Sequence, residues 1–285
     1  MSGPPVIAAP AALREQLDAW RGAGLRIGFV PTMGNLHAGH IDLVRAAAAR
    51  TDRVVASIFV NPLQFGPGED FAAYPRTLAD DLAALAQEPC DLVFTPGEPD
   101  MYPRGRAGAT RVEVPGLSDI LCGATRPGHF TGVATVVARL FNLVQPALAA
   151  FGEKDRQQLT IIRRMVEDLA FPVEILGVPT RREPDGLAMS SRNRYLSEAE
   201  RAVAPALYRA LCTAATALAG GGRDFVAIQQ SGMDNIRSAG MEPEYFEIRR
   251  RAGLEPPEPG ETALVLMAAA RLGRARLIDN LAVDL

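Results

Sequence analysis

Residues 26–60 read RIGFVPTMGNLHAGHIDLVRAAAARTDRVVASIFV, and this stretch decides the fold. Arg26 to Val30 is a β-branched and aromatic run that stops at Pro31. From His37 to Arg50 the spacing predicts an amphipathic helix with Ile41, Leu43 and Val44 on its buried side. Arg53 to Val60 is too continuously apolar for a half-exposed strand and suits the middle of a parallel sheet. Strand, helix and strand in this order form a βαβ unit, whose crossover is right-handed.

The alternation extends in both directions. A helix is expected over residues 11–21, and another after the Gly/Pro-rich stretch NPLQFGPGEDFAAYP, with Thr77 as its cap and Asp80 at the capping-box position. Asp91 to Thr95 reads as a strand, Phe130 to Val144 as a helix and Ala147 to Phe151 as a strand. Asp155 to Leu169 reads as a helix and Val173 to Val178 as a strand. The fold class is α/β, a doubly wound parallel, Rossmann-like sheet. Near Thr180 the character changes. Ser197 opens a long Ala/Leu-rich helix running toward Gly220–Gly222, a second helix follows, and three strands close the chain at 245–250, 262–269 and 276–281. Helices followed by antiparallel strands make a second, smaller α+β domain, so the chain divides into residues 1–180 and 181–285.

Composition narrows the function. The chain has 285 residues, 30 basic and 33 acidic, for a formal charge of −3, which speaks against a broad nucleic-acid footprint. No window approaches the run of about eighteen apolar residues that a membrane span needs. Cys90, Cys122 and Cys212 are far apart with no C-x-x-C pair, which argues against a disulfide framework and a zinc cluster and fits a reducing cytoplasm. Of the 30 basic residues, 29 are arginine and one is lysine, Lys154. A surface charge accepts either residue, so the lone lysine marks a place where a compact ammonium is needed, or a leftover surface residue.

In an open parallel sheet, ligands sit at the carboxyl ends of the strands. The loop after the first long strand carries two of the three histidines, His37 and His40, on one face of a helix start. A helix N-terminus offers free N–H groups and partial positive charge to a phosphate, and two imidazole donors add to that grip. Met33 and Gly34 precede them, and Gly34 and Gly39 admit a nucleotide close to the backbone. A helix entry whose histidines satisfy carbonyls is the plainer alternative.

The H-x-G-H element resembles the HIGH signature of the class I synthetase and nucleotidylyltransferase superfamily. Six elements in one order, PTMGNLHAGH, VNPLQF, EDFAAYPRT, RPGHFTGV, FGEKDRQQ and DGLAMSSRNRYL, together resemble the pantothenate synthetases, ATP-dependent ligases joining pantoate to β-alanine. The C-terminal hundred residues add little to the likeness.

The resemblance implies a role for each element. Gln64, at a strand's carboxyl end with Asn61, contacts pantoate and the incoming β-alanine amine. Neutral amides orient such groups without a competing charge. Phe65 to Pro75 has the glycines and length of a lid, and an ordinary mobile surface loop reads the same way. Asp80 and Asp81 lie near the Mg²⁺ that accompanies ATP, although helix capping alone accounts for both. Val136 and Val137 wall the gem-dimethyl group of pantoate. Gly152, Lys154 and Asp155 meet ATP, with Lys154 on its phosphates, and Gln158 is the second pantoate amide, while Gln157 points elsewhere. Met189, Ser190, Ser191 and Arg192 stand where the superfamily has its mobile KMSKS-type loop. Arg181 contributes through its backbone. His129 and Arg126 read as a structural corner or another anion site.

These parts fit an adenylation, with His37, His40 and Lys154 stabilising charge as pyrophosphate leaves and pantoyl adenylate forms. A homodimer is implied by the resemblance alone. Two other readings use the same loop: a nucleotidylyltransferase that leaves the nucleotide on its product, and a non-catalytic nucleotide-binding module.

Overall fold

The structure, a computed structural model, describes residues 3–285 and divides into two compact units. The first contains the residues up to Glu153 together with Ile161–Pro179, and the second contains Lys154–Thr160 with Thr180–Leu285.

In chain order the elements are β1 (Val6–Ile7), α1 (Pro10–Gly22), β2 (Ile27–Thr32), α2 (Ala38–Ala48), β3 (Arg53–Ile58), α3 (Leu78–Leu85), β4 (Leu92–Phe94) and α4 (Glu98–Met101). They continue with α5 (Cys122–Thr125), α6 (His129–Val144), β5 (Leu148–Gly152), α7 (Arg156–Asp168) and β6 (Glu174–Val178). The strands form one six-stranded sheet in the order β1-β4-β3-β2-β5-β6, every pair parallel. The order reverses at β2, which lies between β3 and β5, so the loops leaving β2 and β5 diverge at this switch point. Alternation along β2 explains how both faces are covered. Val30 packs with Val44 and Ala47 of α2, whereas Phe29 meets Phe141 of α6 edge-on at 6.5 Å. The two-residue strand β1 is missing from the sequence reading because Pro4 and Pro5 hide it, and it exists only by pairing with β4.

The second unit continues with α8 (Glu198–Val203), α9 (Ala206–Ala219), α10 (Phe225–Ser238), β7 (Glu242–Arg250), β8 (Ala263–Leu272) and β9 (Ala275–Asp284). The three strands form an antiparallel sheet in the order β7-β8-β9. Its core joins Leu207, Leu211 and Leu218 of α9 to Leu264, Leu266 and Leu277 of the sheet. The single long helix expected after Ser197 is two: Ser197 caps α8 through a capping box with Glu200, and Pro205, which lacks an N–H, separates α8 from α9. This stretch corrects a second expectation, since Glu198–Ala219 is, by length and composition alone, long and apolar enough to cross a membrane. Its apolar side is the face packed on the sheet, as in the core helix of a globular unit.

Candidate active site

The loop between β2 and α2 is built by turning backbone donors inward. Gly34 has φ +79°, and a Cβ there would lie 2.9 Å from Asp81 Oδ2 and 3.1 Å from Ile58 Cγ2, so only glycine fits. The Asn35 N–H donates to Asp81 Oδ2 at 3.0 Å and the Leu36 N–H to Asp81 Oδ1 at 2.7 Å. Asp81 is 2% exposed, so a carboxylate brought by α3 braces the histidine loop from beneath. This differs from the capping expected of Thr77. The Thr77 side chain makes no cap hydrogen bond to the helix backbone and instead donates its hydroxyl to Asp81 Oδ2 at 3.3 Å, and both Asp81 oxygens accept backbone N–H groups. Asp80 is exposed.

The two histidines are locked by the same means. Nδ1 of His37 accepts the Gly39 N–H at 3.1 Å, and Nδ1 of His40 accepts the His37 N–H at 3.3 Å. The rings lie 4.1 Å apart, centroid to centroid. A backbone N–H can only donate, so both Nδ1 atoms are acceptors and each neutral ring carries its proton on Nε2. The turn therefore presents two Nε2–H donors at the positive end of α2, a geometry suited to phosphate oxygens.

A second hydrogen-bond chain fixes Gln64. Asn61, 1% exposed, accepts the Leu63 N–H at Oδ1 (3.2 Å) and donates from Nδ2 to the Gly132 carbonyl (3.1 Å). Those two backbone groups determine which end of the amide is which. Tyr102 must then donate its hydroxyl to Asn61 Oδ1 (2.6 Å), and Asn61 Nδ2 donates to Gln64 Oε1 (3.0 Å). With its oxygen occupied, Gln64 offers Nε2, whose contact here is the weak acceptor Met33 Sδ at 3.1 Å. Tyr102 is buried, and burial pushes its phenol well above the usual range, so it stays protonated as a donor. Gly132 of α6 allows this close fit: a Cβ there would lie 2.2 Å from the Leu63 carbonyl oxygen. Val136 and Val137, on the same helix, are 6% and 5% exposed.

Arg126 and His129 form a structural corner. Arg126 pairs with Glu69 through two hydrogen bonds of 2.7 and 2.6 Å. His129 Nδ1 donates to the Gln64 carbonyl at 2.7 Å, which leaves Nε2 to accept from Arg126 Nη1 at 3.0 Å. Burial alone would push the Glu69 carboxyl up. The hydrogen bond and charge of Arg126 outweigh it and hold the group below the usual carboxylate range. The Gly/Pro-rich loop is thereby tied to the backbone of Gln64.

In the second unit, Lys154 follows β5 directly in a short 3₁₀ turn, Glu153–Asp155. Lys154, Ser190, Asn193, Tyr208 and Asp279 line one small cavity. Gln157 is 3% exposed, and Gln158 is more open. The segment from Arg181 to Met189 folds back on itself: the Met189 N–H donates to the Arg181 carbonyl at 2.9 Å, and Arg182 bridges to Ala188. Ser190 then caps the turn Ser191–Tyr195, accepting the Arg192 N–H at 3.3 Å. The structure thus brings Lys154 and Ser190 together in this unit, and His37, His40, Met33 and Gln64 into two linked loops of the first.

Sequence reading missed Asp81 as a brace, Tyr102 as the donor behind Asn61, and the buried pair Asp279 and Asn280. For the last a signal existed: two polar residues interrupt the apolar strand in RLIDNLAV. Among the described residues no group of three or more His, Cys, Asp or Glu comes together. The buried Cys90 thiol is pushed up to about 11 by burial, unlike an activated nucleophile.

The sequence profile described as pantoate-beta-alanine ligase matches residues 5–282. A pantothenate synthetase of Thioalkalivibrio sulfidiphilus is 62% identical over 275 residues, 96% of each chain, and one of Azotobacter vinelandii is 57% identical over 96% of each. Among solved structures, the pantothenate synthetase of Thermus thermophilus superposes with a TM-score of 0.89 at 50% identity, covering 97% of this chain and 98% of that one. The pantoate-beta-alanine ligase of Francisella tularensis, complexed with beta-gamma ATP and beta-alanine, gives 0.82 at 33% identity, covering 98% and 97%.

Proposed function

The chain belongs to the pantoate-beta-alanine ligase family and catalyses the ATP-dependent ligation of pantoate to β-alanine, and we propose how its own residues divide that work. A carboxylate oxygen of pantoate attacks the α-phosphorus of ATP, a P–O bond forms, and diphosphate leaves with the bridging electron pair. The deprotonated amine of β-alanine then attacks the acyl carbon of pantoyl adenylate. An amide forms and AMP departs.

His37 and His40 aim Nε2–H donors at the phosphate oxygens, with Met33 and Gly34 lining the same loop. Gly152, Lys154, Asp155, Arg181, Met189, Ser190, Ser191 and Arg192 complete the ATP contacts, with Lys154 and Arg192 on the departing phosphates. Gln64 donates from Nε2 to an acceptor oxygen of pantoate and later guides the β-alanine amine. Gln158 holds pantoate from a second direction, and Val136 and Val137 supply an apolar wall. The observation that carries this division is the tautomer lock: two backbone N–H groups force both imidazoles to present Nε2–H. Preorganised donors of this kind cost no reorganisation as charge develops.

Mg²⁺ is proposed as the companion of the ATP phosphates. Asp81 does not fit as its ligand, because both oxygens already accept backbone N–H groups in a buried setting, while Asp80 is exposed. A homodimer is proposed from family membership, and a cytoplasmic setting from the well-separated free cysteines.

Mass-spectrometric product analysis with ATP, pantoate and β-alanine tests the reading. The expected products are pantothenate and AMP, with AMP release requiring the amine. A nucleotide retained on the product, or AMP release indifferent to β-alanine, would overturn it.

A further inference from the structure

Asp279 and Asn280 are neighbours on β9, 5% and 9% exposed, in a strand whose other inward positions are apolar. Burying a carboxylate and an amide costs stability unless each is hydrogen-bonded, and the sheet itself would be served as well by valine or leucine. Successive strand residues point to opposite faces. Ala275, Leu277 and Val283 belong to the core under α9, so Asp279 shares that face and Asn280 points to the other.

Each side chain grips a different element. Asp279 takes the Arg182 guanidinium through hydrogen bonds of 2.6 and 3.0 Å, and that guanidinium lies 3.6 Å over the Tyr208 ring and also donates to the Gly186 carbonyl at 3.0 Å. The same Asp279 Oδ1 accepts the Asn280 N–H at 2.8 Å. Asn280 Nδ2 donates to the Lys154 carbonyl at 2.9 Å, across 126 residues of sequence. One dipeptide therefore ties down the fold-back that leads into residues 189–193 and the turn that presents Lys154.

We propose that Asn280 is a positioning residue for the ATP phosphates: it fixes the backbone of Lys154, with Asp279 and Arg182 holding Asn280 in register. The inference rests on Lys154 being a phosphate contact. Lysine is a flexible point charge on a long stem, so the direction of its approach depends on where its backbone is held.

The test is steady-state kinetics of pantoate-dependent exchange of pyrophosphate into ATP, using the full-length enzyme. Asn280→Leu keeps the side-chain volume and removes the donor, and Asn280→Ala is its companion should leucine disturb the sheet. Either should raise KM for ATP by about 3- to 10-fold, the worth of one hydrogen bond, while KM for pantoate stays unchanged. In a Lys154→Ala background the Asn280 change should add nothing, because the group it positions is gone. Equal rises in both KM values, an unchanged KM for ATP, or an undiminished effect in the Lys154→Ala background would overturn the inference. A Lys154→Ala enzyme with normal exchange would instead refute the phosphate role of Lys154, so the two failures are distinguishable.

Discussion

At the start of α2, backbone holds side chains: the N–H groups of His37 and Gly39 fix two imidazoles. In β9 the relation is inverted, since an asparagine side chain holds the backbone of Lys154. Under the proposed function both arrangements preorganise a donor for phosphate, and they differ in what a mutation can reach. A held side chain is lost with its own residue, whereas a held backbone is disturbed from 126 positions away.

Substituting the held groups gives the largest expected effect. His40→Ala and Lys154→Ala should each lower adenylate formation by about 10²–10³-fold, as for loss of a preorganised oxyanion donor, with little change in Tm. Lys154→Arg keeps the charge and exchanges an ammonium for a planar fork. Full activity in that variant would show that backbone placement of a charge suffices and that lysine itself is dispensable.

Next comes the brace. Asp81→Asn keeps one acceptor oxygen and turns an amide toward a backbone N–H, so stability should fall by about 1–3 kcal/mol in urea unfolding. Exchange activity should fall with it, because the histidine loop loses its floor. A variant of normal stability and normal exchange would show that the loop holds its shape without Asp81.

These two classes differ in how far sequence reveals them. The βαβ alternation, the parallel sheet and the change of character near Thr180 follow from periodicity, which reports burial directly. His37, His40 and Lys154 are visible because their residue types are rare in this chain and fall at strand ends. The roles of Asp81, Tyr102 and Asn280 are invisible for a common reason, although the polar break in RLIDNLAV marks Asn280 as unusual: each acts across a long sequence separation, and only the folded register brings it to its partner. The Asp80–Asp81 pair also shows that neighbours in sequence need not share an environment. One carboxylate is exposed and the other is buried under the loop, a distinction set by the orientation of α3.

The Gln64 chain sharpens the comparison at smaller amplitude. Tyr102→Phe removes the hydroxyl donor, but the Leu63 N–H still sets the polarity of Asn61. Stability should drop by about 0.5–1.5 kcal/mol, with KM for pantoate within about 3-fold of normal. A much larger change in KM would mean that the phenol, not the backbone, orients Gln64.

The smallest effect is pH-dependent. Glu69 has a folded pKa held below its ordinary value, so its tie to Arg126 contributes fully above the ordinary carboxylate range and is lost as pH falls through the folded pKa. Amide protection in residues 66–76, measured by hydrogen exchange, should decline only as pH falls below the ordinary carboxylate range. Glu69→Gln should remove that dependence, and a pH response identical to the unsubstituted enzyme would place its origin elsewhere.

The central claim is that two histidines locked by the backbone run an adenylation. Pantoate-dependent exchange of pyrophosphate into ATP, measured without β-alanine, addresses it most directly. The account predicts robust exchange in the unsubstituted enzyme and a loss of about 10²–10³-fold in His40→Ala. Exchange that needs β-alanine, or that survives His40→Ala undiminished, would contradict it.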